Sequence, residues 1–259
     1  MRSLIAAILM LATTAASAQD PPSASPPGIA PAVAMTDRPA AARALDAGRK
    51  PAEVLKFLGL KRGDHVLDVM TGSGYYAEII GNAIGSYGTV LAHEPPVFED
   101  EASRATFADL VRRVPNVTIL SVMPGDIDPP ANNLDFTLMH LVYHDAYWSS
   151  EKYKFPVIDP TVLLKRLYTA TRPGGIVGVI DHAAAPANDT RGDTRKVADT
   201  LHRIDPAVVK ADFARAGFKF EAESDLLRAA GDDHLKSVFD PAIKGKTDRF
   251  VMRFRKPLG

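Results

Sequence analysis

Short apolar runs rich in β-branched residues alternate with longer stretches of helical period along most of this chain. His65-Val66-Leu67-Asp68-Val69 is the first run, and Thr71-Gly72-Ser73-Gly74 leads from it into a helical segment, Tyr75 to Ile84. Gly85-Ser86-Tyr87-Gly88 then turns the chain into a second strand, Thr89 to Glu94, which stops at Pro95-Pro96. The alternation continues with a helix from Glu101 to Val114, strands Val117 to Val122 and Leu134 to Leu141, and a helix from Thr161 to Thr171. Arg172-Pro173-Gly174-Gly175 is expected to stop that helix before a fifth strand, Ile176 to Asp181. The tail predicts a helix from Pro206 to Ala216 and strands Phe218 to Ser224 and Arg249 to Phe254. Ahead of the first strand, Arg38 to Leu58 reads as helical, divided at Pro51. Five strands with crossover helices predict an α/β, doubly wound, mainly parallel sheet covered on both faces. The tail brings it to seven strands, and the last is expected to be antiparallel because no long helix separates it from the sixth.

The N-terminus breaks this pattern. Met1-Arg2-Ser3 precedes an apolar run, Leu4 to Ala16, and then Ala16-Ser17-Ala18 ahead of Gln19. A basic start, an apolar centre too short for the roughly 20 residues of a membrane span, and a small-x-small site are the parts of a secretory signal. Residues 1–18 are therefore expected to be a cleaved signal peptide, and the mature protein periplasmic. Residues 19–35, rich in Pro, Ala and Ser, are expected to be a disordered tether, leaving 36–259 as one domain. The absence of Cys excludes thiol catalysis, disulfides and zinc-thiolate sites. Lys plus Arg equals Asp plus Glu at 31 each, so no net field favours nucleic acid or an anionic membrane. A small-molecule substrate is the remaining expectation, and the pattern carries no signal for oligomeric state.

Asp68 to Gly74 lies at the carboxyl end of the first strand, where ligands bind in such sheets. Gly72 and Gly74 allow close backbone approach, and the next helix presents unpaired amides. Glu94 ends the second strand about 20 residues later, where a carboxylate can accept both hydroxyl hydrogens of a ribose. In these residues the chain resembles the class I S-adenosylmethionine-dependent methyltransferases of the Rossmann-like fold, and among them a bacterial group that often carries export signals. The resemblance runs through Val66 to Tyr76, Glu94, Gly125-Asp126, Leu134-Asp135 into Tyr143-His144-Asp145, and Arg172 to Gly175. His202 to Pro206, Ala216-Gly217-Phe218 and Thr247 to Phe250 extend it. It implies S-adenosylmethionine as cofactor, with Asp68, Gly72, Ser73 and Gly74 about its methionine part, Glu94 on its ribose and Asp126 near its adenine. Met70 departs from the motif, which usually has its first glycine there.

Methyl transfer from a sulfonium requires alignment of the acceptor and, for many acceptors, removal of a proton. Met139 to Trp148 places His140, His144, Asp145 and three aromatic rings after the fourth strand. His144 is the first choice for a general base, with Asp145 as its orienting partner and His140 as a further catalytic candidate. Packing beneath a loop is an equal alternative for both histidines, and Tyr143, Tyr147 and Trp148 suit either an acceptor wall or the core. Asp181-His182, His202 and Asp205 form a second cluster, able to close over the same pocket or to meet a metal such as zinc or iron, which imidazole and carboxylate suit. Without a close two-histidine helical pair of the HExxH kind, no metal is expected. Arg43, Arg49 and Lys50 read as a solvated helix face able to meet a ligand carboxylate. Two readings from other classes stand beside a methyltransferase: a periplasmic binding protein with a modified pocket, and a different enzyme using the histidines.

Overall fold

A computed structural model describes residues 28–186 and 191–259. The expected signal peptide and most of the expected tether lie outside these residues. The end of the tether is corrected: α1 (Ile29–Ala34) falls inside it. Ala32 is fully buried and Ile29 and Val33 pack around it against the core, so three modest apolar side chains dock this segment. Pro31 is tolerated because it stands in the first turn, where the amides have no intrahelical partner. The domain thus reaches back at least to residue 28 instead of starting at 36.

Two single-turn helices, α2 (Ala40–Arg43) and α3 (Asp46–Arg49), precede α4 (Pro51–Leu58). Pro51 divides them as expected: Lys50 ahead of it sits in the left-handed region at φ 44°, and Pro51 opens α4 where its missing amide costs nothing. The strands are β1 (His65–Val69), β2 (Thr89–Glu94), β3 (Val117–Ser121), β4 (Leu134–His140), β5 (Thr171–His182), β6 (Lys219–Ser224) and β7 (Arg249–Arg255). They form one seven-stranded sheet in the order β3-β2-β1-β4-β5-β7-β6. The first five are parallel neighbours, and β7 inserts antiparallel between β5 and β6, as expected of the last strand. The helices α5 (Tyr75–Ile84), α6 (Glu101–Arg113), α7 (Pro160–Ala170), α8 (Arg191–Leu201) and α9 (Pro206–Ala216) complete the chain.

Neighbouring residues within a strand bury into opposite layers, which is why the strands read as nearly continuous apolar runs. Val66, Phe136, Leu138 and Ile180 enter one core with α1, α4 and α5. Leu67, Val69, Met139 and Val179 enter the other with α7 and α9. Two features differ from expectation. β5 begins at Thr171, not Ile176, because Thr171 already pairs with Leu134 and an irregularity before Phe136 absorbs the Arg172–Gly175 segment. α8 was not anticipated: its sequence is mostly polar, and Ala198 and Thr194 are the side chains it buries among those described.

Candidate active site

The order reverses between β1 and β4, so their carboxyl ends diverge into a crevice. A cavity of about 210 Å³ occupies it, lined by Asp68 and Met70 to Ser73 from β1 and its turn and by His140 to Val142 after β4. Tyr75 and Tyr76 of α5 and Arg49 of α3 close it. Sequence proximity thus accounts for only part of the wall.

The turn after β1 is held by side chains. Thr71 Oγ1 donates to Asp68 at 2.6 Å, and the Gly72 amide donates to Glu94 Oε2 at 2.9 Å. Met70 keeps the backbone a glycine would adopt, at φ 52°, and its amide donates to His93 Nδ1 at 3.1 Å. His93 Nε2 must then carry the proton, which it gives to the Val122 carbonyl at 3.0 Å. Burial pushes the His93 pKa down to about 4, so the ring stays neutral and can accept from Met70. Gly74, at φ 79°, begins α5 where a Cβ would come 2.5 Å from Leu110 Cδ2. Burial raises both nearby acids: Asp68 to about 7 against its Thr71 bond and the charge of Arg49, and Glu94 to about 7 against its Gly72 bond. Of the expected cofactor residues, Asp68, Gly72 and Ser73 line this cavity, Glu94 and Gly74 stand beside it and shape the turn, and Asp126 is exposed in a short 3-10 turn (Pro124–Asp126) outside the lining.

Arg49 turns into the cavity with its guanidinium 4.3 Å from the Tyr75 ring centre. Burial lowers its pKa, and Asp68 is among the groups that favour its charge. Arg43 and Lys50 instead bind backbone carbonyls, of Arg38 and Leu226. His140 also faces the cavity. Its Nε2 is buried without a hydrogen-bond partner, and its ring meets Tyr76 edge-on at 4.7 Å, where the Tyr76 hydroxyl is unpartnered too. Burial, reinforced by Arg49 and Arg249, keeps the His140 ring neutral by holding its pKa well below the ordinary value.

His144 and Asp145 lie in the 3-10 turn Tyr143–Tyr147 and do not line the cavity. Asp181, and not Asp145, orients His144: its carboxylate accepts from His144 Nδ1 and from the His144 amide, both at 2.8 Å. Burial opposes a charge on this ring, but Asp181 and Asp145 outweigh it and raise the pKa to about 9. His182 and His202 join this second group, with ring centres 6.2 and 5.5 Å from that of His144. Asp205 does not, serving instead as the cap of α9 by accepting from the Ala207 amide at 2.8 Å. Tyr143 and Tyr147 are core side chains whose hydroxyls both donate to buried Asp212, at 2.8 and 2.5 Å.

Residues 41–117 match the protein-L-isoaspartate(D-aspartate) O-methyltransferase (PCMT) family. A curated relative, the chloroplastic 2-phytyl-1,4-beta-naphthoquinone methyltransferase of Arabidopsis thaliana, is 29% identical over 125 residues, 48% of this chain and 43% of that protein. The alignment therefore spans less than half of the relative's length. Among solved structures, an S-adenosylmethionine-dependent methyltransferase from Aquifex aeolicus superposes with a TM-score of 0.54 at 21% identity, over 78% of this chain and 87% of that one. The [4+2]-cyclase SpnF gives 0.55 at 19% identity, over 82% of each. A methyltransferase of the same cofactor class from Mesorhizobium loti gives 0.53 at 16%, over 82% of this chain and all of that one.

The fold is that of the class I S-adenosylmethionine-dependent methyltransferases. In doubly wound sheets ligands bind in the crevice at such a switch point, and here the β1 turn and the β4 end carry much of its lining. Sequence missed His93, which holds the turn, and gave Arg49 only as a second choice: a solvated face first, a partner for a ligand carboxylate second. A histidine directly after the apolar run Val90 to Ala92 and before Glu94 was the available signal for the first. Nothing local decided between the two readings of the second.

Proposed function

We propose that this protein transfers the methyl group of S-adenosylmethionine to a small-molecule acceptor. The observation that carries this reading is the pairing of Asp68 and Arg49 across one cavity at the β1/β4 switch point. A carboxylate and a guanidinium there match the ammonium and carboxylate of an α-amino acid, which is the methionine end of the cofactor. Glu94 fits the ribose: one carboxylate oxygen is held by the Gly72 amide, and the group stands at the end of β2. Gly72 offers its open face to the same ligand, since no atom lies within 4 Å of where a Cβ would be.

When bound, the cofactor supplies an electrophilic methyl group on a sulfonium. The chain's own residues orient and desolvate. Arg49 and Asp68 fix one end of the ligand, His93 and Glu94 hold the turn beneath it, and Tyr75 and Tyr76 exclude water. His140 is the imidazole placed to accept a hydrogen bond from an acceptor and orient it: its Nε2 is unengaged and the ring neutral, while burial, which holds its pKa well below the ordinary value, makes it a weak proton acceptor. His144 is less suited: Asp181 already engages its Nδ1, and it lies outside the cavity wall.

Calorimetric titration of the protein with S-adenosylmethionine tests the reading. Binding in the micromolar range is expected, weakened at least tenfold in Arg49→Met and in Glu94→Ala, about 1.4 kcal/mol each. Saturation of the wild type failing even at millimolar cofactor would overturn it. A second reading, a different reaction or plain binding in a modified pocket, is favoured by Met70 in the cavity wall and by a [4+2]-cyclase among proteins of this fold. Cofactor binding without methyl transfer to any of a panel of small nucleophiles would select it.

We further propose export. The basic start, short apolar run and small-x-small site of residues 1–18 support cleavage after Ala18 and a periplasmic location. Expression in a Gram-negative host, followed by fractionation and N-terminal sequencing, is expected to give a periplasmic chain starting at Gln19. An intact Met1 in the cytoplasmic fraction would exclude it.

A further inference from the structure

Beside the cavity, His144, Asp145 and His202 converge without serving any role described above. One ligand-capable atom from each lies within 4.8 Å of the others. His144 Nε2 stands 3.5 Å from Asp145 Oδ1. That is too long for an N–H···O bond, but it is close to the roughly 3.3 Å edge of a tetrahedron with bonds of about 2.0–2.1 Å.

The surroundings prepare these atoms for a cation. Asp181 is fully buried and accepts from His144 Nδ1, which fixes the ring with Nε2 turned toward Asp145, where a bound cation would take the place of the Nε2 proton. A carboxylate holding the far nitrogen of an imidazole is the arrangement that orients histidine ligands around metals. Asp181 also accepts from the His182 amide at 2.7 Å, so it is itself fixed. His202 ends α8 in the left-handed region at φ 52°, where glycine would be unstrained, yet a histidine stands there. Its ring is set by Trp148 on one side and Phe239 on the other, with centres 5.7 and 4.8 Å away. Phe239 is 61% exposed, so this side of the group is within reach of solvent.

We infer that His144, Asp145 and His202 form a binding site for a divalent first-row transition-metal ion, with Asp181 positioning His144 and a fourth coordination position left open. Two imidazoles and one carboxylate suit zinc and its neighbours in preference to magnesium or calcium, which take oxygen donors. A His-His-carboxylate set with one open position is also the composition of hydrolytic zinc centres. None of its three proposed ligands lines the cavity at the β1/β4 switch point.

The test is metal uptake by the full-length protein after chelation and desalting, with Co²⁺ as the optical probe and Zn²⁺ as competitor. One Co²⁺ per chain is expected, with the intense visible bands of a four-coordinate ion that Zn²⁺ abolishes. His202→Gly keeps the left-handed backbone unstrained and should weaken uptake by more than about 100-fold. Asp181→Asn should weaken it by roughly 10–100-fold, as loss of an outer-shell partner does. His65→Ala, at the opposite end of β1, should bind as the wild type does. Thermal melts confirm that each variant is folded. No saturable uptake by the wild type, or uptake unchanged in folded His202→Gly, would overturn the assignment.

Discussion

At the residue scale, the turn after β1 depends on one neutral imidazole. His93 accepts from the Met70 amide and donates to Val122, and only the uncharged ring can do both. Because burial holds its pKa near 4, below the ordinary 6.5, the unfolded chain takes up the proton first as pH falls. The stability this histidine contributes is therefore present above about pH 6.5 and is lost as pH falls toward 4, a change of roughly 2–3 kcal/mol. His93→Asn retains an acceptor for the Met70 amide but does not titrate. Melting curves at pH 8 and pH 5 should show the wild type losing more stability than this variant, and parallel losses would remove His93 from the account. Gly74 is constrained differently, by its φ of 79° and by Leu110. Gly74→Ala should cost roughly 1–3 kcal/mol in denaturant unfolding, because a left-handed Ala is strained and Leu110 must move. A cost below about 0.5 kcal/mol would mean that the turn relaxes freely.

At the scale of elements, legibility followed how strongly each segment announces its own burial. β1, β2 and β4 were readable because they lie inside the sheet with both faces largely covered, leaving mainly apolar runs bounded by turn residues. α8 was not readable, since its docking rests on Ala198 and Thr194 within a charged sequence. The same limit hid α1: Ile29, Ala32 and Val33 have the spacing of one helical face, but over little more than a single turn and among prolines and alanines that give no polar contrast, yet they suffice once α5 offers a surface. Of the proposed binding residues, those at the strand ends, Asp68 to Gly74 and Glu94, could be named from the sequence. Arg49 came only as a second choice, because its place in the cavity wall follows from tertiary packing and not from its local sequence. Truncation measures what α1 contributes. A chain beginning at Thr36 should melt several degrees below one beginning at Gly28, since it uncovers the Ala32 site and the α5 surface beneath it. Equal melting temperatures would return residues 28–35 to the tether.

At the scale of the whole molecule, the two raised acids couple ligand binding to pH. The folded-state pKa values of Asp68 and Glu94, both about 7, lie above the ordinary carboxylate range because burial disfavours their charge. For groups raised in this direction, the stabilising effect is complete below the unfolded-state value and is lost as pH rises through 7. The ligand-free protein thus carries two carboxylates that resist ionisation at the pH where the proposed cofactor needs one of them. An ammonium placed beside Asp68 reverses the preference, so binding should expel a proton. Affinity for S-adenosylmethionine should accordingly rise by about tenfold from pH 6 to pH 8, the change that follows when an ionised fraction governed by a pKa near 7 limits binding. Calorimetry in two buffers of different ionisation enthalpy would count the proton directly at pH 6.5. Asp68→Asn should bind more weakly and with a flatter pH profile, while Arg49→Met should bind more weakly and keep a pH dependence, moved to higher pH because Asp68 loses a nearby cation. If the wild-type affinity were level across this range, the buried carboxylate would not be the group that receives the ligand's charge, and the amino-acid end would have to lie elsewhere in the crevice.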